Sequence, residues 1–215
     1  MKLVIGNKNY SSWSLRPWLL LSAFDIDFEE IQESLIQQGI KQRFGAYSPS
    51  RKVPVLIDDD LTVWDSLAIC EYVSEKYLND RGWPDKQQIR AQARAVCCEM
   101  HSGFSALRNE LPMNCRAQRQ ITISAQARED ISRIEAIWTE NTSSFGEIGP
   151  WLFGNFSIAD CFYAPVASRF LTYGISLSAP AEKYCQQILN HASVCTWVAA
   201  AREETEVIVE DEAGA

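Results

Sequence analysis

The sequence changes from mixed to purely helical patterning at residues 79–85. Before this segment, short apolar runs typical of strands alternate with helical periodicity, and after it every long periodic stretch has the three-to-four spacing of a helix. The segment itself combines glycine, proline and charged residues, which is typical of a boundary between domains. We therefore predict an α/β domain over residues 1–79, an all-helical domain over residues 86–202 and an acidic tail over residues 203–215.

The predicted elements of the first domain follow the order strand, helix, strand, loop or short helix, two strands and helix. The strands are expected at 3–6, 28–31, 53–57 and 61–64, and the helices at 15–24 and 66–78. In the second domain the spacing predicts helices at 86–111, 124–145, 157–173, 180–189 and 194–201. Acidic surroundings indicate that the tail lies on the surface or is disordered.

Composition and charge exclude several classes of protein. Six of the 28 acidic residues lie in the last thirteen residues, which contain no Lys or Arg, so the rest of the chain is nearly neutral. It lacks the basic stripe that nucleic-acid binding requires. No apolar run reaches the length of a membrane span, and the N-terminus lacks the core of a signal peptide. We expect a cytoplasmic protein with no nucleic-acid or membrane partner.

Cysteines and histidines give no sign of a metal centre. The seven cysteines form no C-x-x-C pair, so we expect them to be reduced and mostly packed as small apolar side chains. The only histidines, His101 and His191, have no metal-ligand spacing with cysteines or carboxylates, and we assign both to structural roles. Core positions are predicted for three tryptophans, namely Trp64, Trp138 and Trp197.

A polar loop with two adjacent serines leads into the first helix. We predict Ser14 as the N-cap of this helix and Pro17 within its first turn. Ser11 and Ser12 then lie just ahead of a helix N-terminus, where free N–H groups and the helix dipole favour a negative charge. Their hydroxyls are suited to donate to a bound phosphate, carboxylate or thiolate. Capping and turn formation explain the same residues without a ligand.

Two further motifs lie at a strand and at a helix start. In K-V-P-V-L, residues 52–56, we expect a cis peptide bond before Pro54. The backbone of Val53 would then be free to pair with an extended peptide, whereas a trans proline at an edge strand is the alternative. Asp65 and Ser66 begin a helix directly after a strand. They are suited either to capping that helix or to binding an amine and a carboxylate.

Together these motifs resemble the thioredoxin-like domain of soluble glutathione transferases. Three segments follow one another in the order of that family: the polar segment with Ser11 and Ser12, then K-V-P-V-L, then D-S-L-A-I-x-E-Y. In the second half, Ser157 and Asp160 are similar to the S-x-A-D motif, in which they form a capping box. The resemblance covers residues 1–202. It implies the glutathione transferase fold, with an α/β thioredoxin-like N-terminal domain and an all-α C-terminal domain, and it implies a homodimer that serves in detoxification.

The resemblance also implies roles for the motif residues. Glutathione is an extended anionic tripeptide whose free thiol is mostly protonated at neutral pH. Ser11 would stabilise its thiolate, with Ser12 in a supporting role, for attack on a small hydrophobic electrophile. The remaining glutathione contacts would come from the Val53 backbone to the cysteinyl unit, from Ser66 and Asp65 to the γ-glutamyl carboxylate and amine, and from Lys52 to either carboxylate. The electrophile pocket is assigned to Trp13, Phe104 and Leu107.

Residues 11–16, S-S-W-S-L-R, are similar to the S-S-C-x-W-R motif of the zeta class, whose members include maleylacetoacetate isomerases. Trp13 stands in place of the zeta cysteine and Leu15 in place of its tryptophan. The departure at Trp13 also disfavours classes that use a reactive cysteine there. A zeta-like isomerase and a non-catalytic ligand-binding or protein-interaction protein stay open as alternatives to a serine-type transferase.

Overall fold

The computed structural model describes residues 1–214. The first domain is built on a mixed sheet with the strand order β2-β1-β3-β4. β1 (Lys2–Ile5) lies parallel to β2 (Glu29–Gln32) and antiparallel to β3 (Val55–Asp58), which pairs in turn with β4 (Leu61–Trp64). The central position of β1 explains the continuous apolar run of residues 3–5, which are completely buried.

Three helices complete this domain. α1 (Ser12–Ala23) connects β1 to β2, the short α2 (Ile40–Gly45) lies between β2 and β3, and α3 (Ser66–Leu78) follows β4. α1 and α3 pack against each other, so their N-termini approach the same end of the sheet. The predicted thioredoxin-like domain is confirmed.

The second domain is helical. Its helices are α4 (Gln87–Ser102), α5 (Ser105–Glu110), α6 (Ala125–Phe145), α7 (Ile158–Thr172), α8 (Ala179–Leu189) and α9 (Ala192–Glu203). Every residue of α7 except Leu171 is buried, because α7 packs against α4 and α8 of its own domain and against α1 of the first. A helix that is apolar on all faces is expected at the centre of a domain. The S-x-A-D motif therefore begins the helix that joins the two domains.

Two helix assignments from the sequence are wrong. α1 begins three residues earlier than expected, so its N-cap is Ser11 and not Ser14, and Pro17 lies in the second turn instead of the first. The predicted helix over 86–111 is two helices, because Phe104 has a φ of 56° and ends the regular backbone. Gly103 is required at this break, since a Cβ there would lie 2.7 Å from the carbonyl oxygen of Glu99.

The tryptophans and cysteines follow the predictions with one exception. Trp138 and Trp197 are completely buried, but Trp64 is 44% exposed at the end of the edge strand β4. Five of the seven cysteines are buried and all seven are unpaired, and burial raises the pKa of the Cys70 and Cys97 thiols. These thiols are packed as small apolar groups. The acidic tail lies on the surface, with Ile208 buried beneath it.

Asp58 ties the end of β3 to α3. Its buried carboxylate accepts hydrogen bonds from the Tyr72 hydroxyl (2.7 Å), the Lys76 amine (2.6 Å) and the Tyr77 hydroxyl (2.6 Å). Burial opposes ionisation, but these three donors outweigh it and hold the pKa of Asp58 well below its usual range. The contribution of a depressed carboxyl pKa to stability is present above the pKa of the unfolded chain, about 3.9. It is lost as the pH falls further toward the folded value.

We expect the variant Asp58→Asn to lower the free energy of unfolding by about 2 kcal/mol at pH 7, because the charge-assisted bonds are lost. The difference from the wild type should shrink as the pH falls from 5 to 3, where the wild-type carboxyl becomes protonated in the unfolded chain. Urea denaturation at a series of pH values measures this. Asp60→Asn, in the exposed turn before β4, is the control. A difference between Asp58→Asn and the wild type that does not depend on pH would contradict this role of the ionised carboxyl.

Candidate active site

A cleft of about 760 Å³ lies between the two domains, at the N-termini of α1 and α3. The first domain contributes the loop before α1, the segment before β3 and the start of α3. The second domain contributes residues near α5 and Arg169 of α7. Seven of the nine residues that the sequence assigns to a site lie on its wall: Ser11, Ser12, Trp13, Lys52, Val53, Asp65 and Ser66.

The two serines of the loop occupy different environments. The hydroxyl of Ser11 donates to that of Ser14 at 2.7 Å, and the Ser14 oxygen also accepts a hydrogen bond from the backbone N–H of Gly6 at 3.1 Å. The hydroxyl of Ser12 accepts a hydrogen bond from Arg169 at 3.2 Å. Rotation of the Ser14 hydroxyl to donate to Ser11 would free the Ser11 proton for a ligand. Each serine thus has a supporting partner, and both border the cleft.

The segment before β3 offers an unpaired backbone. The Val53–Pro54 peptide bond is cis, as predicted. β3 begins at Val55, and within residues 1–214 the N–H and C=O groups of Val53 make no backbone hydrogen bond. Lys52 is exposed beside them on the wall of the cleft. This arrangement provides one donor and one acceptor for an extended peptide.

Asp65 and Ser66 form the start of α3. Asp65 has a φ of 75°, and its Oδ1 accepts from the backbone N–H groups of Leu67 and Ala68. Ser66 is buried, and its hydroxyl accepts a hydrogen bond from Arg16 at 3.3 Å. Since Arg16 occupies a lone pair of that oxygen, the Ser66 proton is available to a carboxylate in the cleft. Asp65 therefore caps α3, as one of the two interpretations expected.

Replacing Ser66 with alanine is expected to weaken glutathione binding by roughly 1.5–3 kcal/mol, because one hydrogen bond to a carboxylate is lost. The loss should appear mainly in the KM for glutathione and not in kcat, since this end of the cleft is remote from Ser11. Steady-state kinetics at varied glutathione measure both. Ser50→Ala is the control, because that hydroxyl borders the same cleft but bonds to Ser48. An unchanged KM in Ser66→Ala would leave Ser66 only as a structural partner of Arg16 at the start of α3.

His101, which the sequence analysis did not connect with the site, contacts two residues on the wall of the cleft. Its Nε2 lies 3.1 Å from Oδ2 of Asp65, and its ring contacts Trp13 edge-on at 5.0 Å between centroids. Burial lowers the pKa of His101, as do the charges of Arg16 and Arg108, while Asp65 opposes this. A neutral imidazole can donate from Nε2 to this oxygen of Asp65. No local motif connects a histidine in α4 with the start of α3, so only the fold brings them together.

Three arginines lie on or below the wall of the cleft, and we call them the cationic floor: Arg16, Arg108 and Arg169. The guanidinium of Arg16, which is completely buried, lies 4.2 Å from the Trp13 ring and 4.4 Å from the Phe162 ring, and that of Arg108 lies 4.8 Å from Trp13. Burial and the neighbouring arginines lower the pKa of Arg16 to about 9 and that of Arg169 to about 10, so both stay charged at neutral pH. Within residues 1–214, Arg16, Arg108 and Arg169 form no ion pair with a carboxylate.

The structure places Phe104 and Leu107 outside the cleft. Both are buried in the core of the helical domain, because the break at Gly103 turns the chain before α5. Arg108 faces the cleft instead of Leu107, together with Pro112 and Met113. The wall that the sequence analysis expected to be apolar therefore carries a guanidinium group. Trp13 alone of the three proposed pocket residues borders the cleft.

Comparison with known proteins identifies the family. Residues 10–76 match the family described as glutathione S-transferase, N-terminal domain. Maleylacetoacetate isomerase of Rattus norvegicus is 30% identical over 183 residues, which cover 78% of this chain and 78% of the rat protein. The chain belongs to the glutathione S-transferase family. A stringent starvation protein A homolog of Pasteurella multocida is 25% identical over 146 residues, covering 68% of this chain but only 65% of that protein.

Solved glutathione transferases share the fold over most of the chain. A maleyl pyruvate isomerase described as a bacterial zeta-class glutathione transferase superposes with a TM-score of 0.74 at 19% identity, over 96% of this chain and 100% of its own. A glutathione transferase homolog from Burkholderia, solved with bound glutathione, gives a TM-score of 0.69 at 22% identity, over 94% and 98% of the two chains. At these identities the likeness establishes the transferase fold and nothing further.

The described part of this transferase has no cluster suited to a metal. Within residues 1–214, no three His, Cys, Asp or Glu side chains converge on a point that could hold an ion. None of the helices in the same residues combines the length and the apolar character needed to cross a membrane.

Proposed function

We propose that this glutathione transferase binds glutathione in the interdomain cleft and activates its thiol as a thiolate for attack on a small electrophile. One observation supports this most strongly. The hydroxyls of Ser11 and Ser12, at the N-terminus of α1, face the same cleft as the unpaired backbone of Val53 and the hydroxyl of Ser66. An extended, anionic thiol peptide requires three kinds of partner. These are a hydrogen-bond donor to its thiolate, a donor and an acceptor for its backbone, and a donor to its carboxylate.

Glutathione would lie with its backbone along Val53 and its γ-glutamyl end at α3. Val53 pairs with the cysteinyl unit, Ser66 donates to the γ-glutamyl carboxylate and Asp65 accepts from the amine. The exposed Lys52 is placed to bind the other carboxylate. The Nε2 atom of His101 contacts Oδ2 of Asp65 and holds this carboxylate in place. This orientation brings the cysteinyl sulfur toward Ser11.

Deprotonation of the thiol is the step that the cleft favours. A free thiol of this kind has a pKa of roughly 8.5, so less than a tenth of it is thiolate at pH 7. A hydrogen bond from Ser11, the N-terminus of α1 and the buried charge of Arg16 each stabilise the thiolate relative to the thiol. The proton leaves to solvent. The sulfur then forms a bond to the electrophilic carbon while the leaving group departs with its electron pair.

A second candidate is a cis–trans isomerase that acts on a carboxylate-bearing substrate. The observation that favours it is the cationic floor, since Arg108 and Arg169 border the cleft and form no ion pair within residues 1–214. Asp211 lies on the same wall and offsets part of the charge of Arg169. The rat relative and the structural neighbour from the zeta class are both named as isomerases of maleyl compounds. Here the thiolate would add to the double bond, the resulting single bond would rotate, and elimination of the thiolate would restore both the double bond and free glutathione.

Arg108→Gln distinguishes these substrate classes. Its guanidinium donates to backbone oxygens of Gly103, Met100 and His101 through Nε and Nη2, whereas Nη1 makes no hydrogen bond within residues 1–214. We expect kcat/KM for a maleyl carboxylate to fall roughly ten- to a hundredfold, the value of one charge-assisted hydrogen bond. For a neutral aryl halide it should change less than threefold.

The ratio of the two rates in one enzyme preparation corrects for any loss of folded protein. Arg108→Lys serves as the matched control, because it keeps the charge and should retain part of the selectivity. Equal losses for both substrates would contradict a carboxylate subsite at Arg108. Retention on immobilised glutathione without turnover of either substrate would favour the non-catalytic alternative. Cytoplasmic location and homodimer formation stay predictions, and sedimentation velocity of the full chain tests the second.

A further inference from the structure

The end of the chain folds back over the loop that carries the active-site serines. We refer to residues 204–212 as the C-terminal strap. We refer to residues 7–10, which lead directly into Ser11 and Ser12, as the serine loop. The strap follows α9 without a regular element until a 3₁₀ turn at Val209–Asp211. Ile208 of the strap is buried, and three of the five acidic residues of the strap accept hydrogen bonds from the serine loop. The acidic tail is therefore part of the structure around the active site.

Glu204 binds two backbone N–H groups of the serine loop. One oxygen of its carboxylate accepts from the N–H of Lys8 at 2.6 Å, and the other accepts from the N–H of Asn9 at 3.0 Å. Two successive peptide groups are thus held by both oxygens of one carboxylate. Charge-assisted hydrogen bonds of this kind are stronger than those between neutral groups and fix orientation as well as distance.

Glu206 and Glu212 hold the two ends of the serine loop. Glu206 accepts from the side chain of Asn7 at 2.8 Å. Glu212 accepts from the hydroxyl of Tyr10 at 2.6 Å, and Arg119 donates to Glu212 at 3.0 Å. Each position of the loop therefore contacts the strap, through the backbone in its middle and through side chains at its ends.

Arg116 donates hydrogen bonds to both the strap and the serine loop. Its guanidinium donates to the hydroxyl of Tyr10 at 2.8 Å and to the backbone oxygens of Glu204 and Glu206. Its backbone N–H donates to the side chain of Asn9 at 2.9 Å. Strap, serine loop and the segment between α5 and α6 thus form one hydrogen-bonded unit.

The position of the serine loop determines where Ser11 points. Asn7 and Asn9 are buried polar residues whose groups require partners. The N–H of Ser11 donates to the carbonyl of Asn7 at 2.8 Å, and that of Ser12 donates to the carbonyl of Tyr10 at 2.9 Å. A displacement of the loop therefore displaces both serines at the N-terminus of α1.

We propose that Glu204 and Glu212 are positioning residues that hold the serine loop so that the Ser11 hydroxyl is directed at the glutathione sulfur. This rests on the proposed function. Neither carboxylate borders the cleft, so neither touches the substrate. They act through the Lys8 and Asn9 amides and the Tyr10 hydroxyl.

The test uses Glu204→Ala in the full chain, with Glu210→Ala as the matched control. Glu210 is an exposed acid of the same strap that makes no hydrogen bond through its side chain within residues 1–214.

Two quantities are measured, namely amide hydrogen exchange of residues 7–14 by mass spectrometry and the thiolate absorbance of bound glutathione against pH. In Glu204→Ala we expect exchange of this segment to rise roughly tenfold. The bound thiol should titrate roughly one unit higher, and kcat/KM at pH 7 should fall roughly tenfold. Glu210→Ala should change none of these.

The outcomes separate the proposal from the function on which it rests. Wild-type protein that binds no glutathione thiolate contradicts the proposed function itself. A wild type that binds the thiolate, together with a Glu204→Ala variant whose exchange rises but whose thiol titrates normally, overturns the positioning role and leaves the strap as a stabilising element. Unchanged exchange overturns it as well. Should Glu204→Ala fail to fold, Glu204→Gln, which keeps one acceptor oxygen, is measured in the same way, with a smaller shift expected in the same direction.

Discussion

Replacing Asp160 with alanine is expected to lower the free energy of unfolding by about 3–5 kcal/mol. The carboxylate is completely buried and is satisfied on every side. One oxygen accepts from the Leu152 backbone at 3.0 Å and the Tyr184 hydroxyl at 2.8 Å, and the other accepts from the backbone (2.8 Å) and hydroxyl (3.2 Å) of Ser157. Burial raises the pKa of Asp160 to about 6, so these four donors surround an ionised group at neutral pH.

Alanine would leave these donors buried without an acceptor, which is the costly case for a buried polar network. The consequence reaches the cleft, because α7 carries both Arg169 and the Phe162 ring that packs on Arg16. Urea denaturation followed by far-UV circular dichroism measures the change. Asp27→Ala, an exposed carboxylate in the loop before β2, is the control. A loss below 1 kcal/mol in Asp160→Ala would mean that the S-x-A-D box contributes little to this fold.

Ser11→Ala is expected to lower kcat/KM at pH 7 by roughly ten- to a hundredfold, the worth of one charge-assisted hydrogen bond to the thiolate. Ser12→Ala should have a smaller effect, because the order of the serine motif assigns the thiolate contact to Ser11. The bond from Arg169 leaves the Ser12 proton free to donate, so the two variants must be compared directly. Raising the pH should restore part of the Ser11→Ala activity, since solvent then removes the thiol proton. Rate against pH for both variants and the wild type measures these effects.

The relative size of the two losses decides the assignment. A larger loss in Ser12→Ala would transfer the role to Ser12, whose oxygen would then connect Arg169 to the sulfur. Equal and small losses would assign the stabilisation of the thiolate to the N-terminus of α1, where the Trp13 N–H makes no backbone hydrogen bond within residues 1–214. Ser14→Ala is a useful third variant, because it removes the partner of Ser11 and leaves both loop hydroxyls in place.

The sequence was informative wherever local pattern determines structure. Alternating apolar runs predicted the strands of the sheet, and β4 and α3 begin and end where the pattern placed them. The three polar motifs of the first domain were expected at one site because together they resemble the glutathione transferase family. The fold brings them to one cleft, since the N-termini of α1 and α3 both border it.

Long-range packing determined the features that the sequence analysis missed. Arg108 lies on the wall of the cleft because the chain breaks at Gly103, and a periodicity that continues through that glycine does not reveal the break. Leu107 was chosen on the same continuous helix and lies in the core. The strap is the clearest case, since Glu204 meets the amides of Lys8 and Asn9 almost two hundred residues earlier in the chain.

The most direct test of this account is the pKa of the glutathione thiol in the cleft, measured by titrating the thiolate absorbance of the bound complex. We expect the wild-type value to lie at least one unit below the roughly 8.5 of a free thiol, and the Ser11→Ala value to lie about 1–2 units above the wild type. Ser12→Ala should shift it less. A wild-type complex that titrates like free glutathione, or a Ser11→Ala complex that titrates like the wild type, would contradict thiol activation by Ser11.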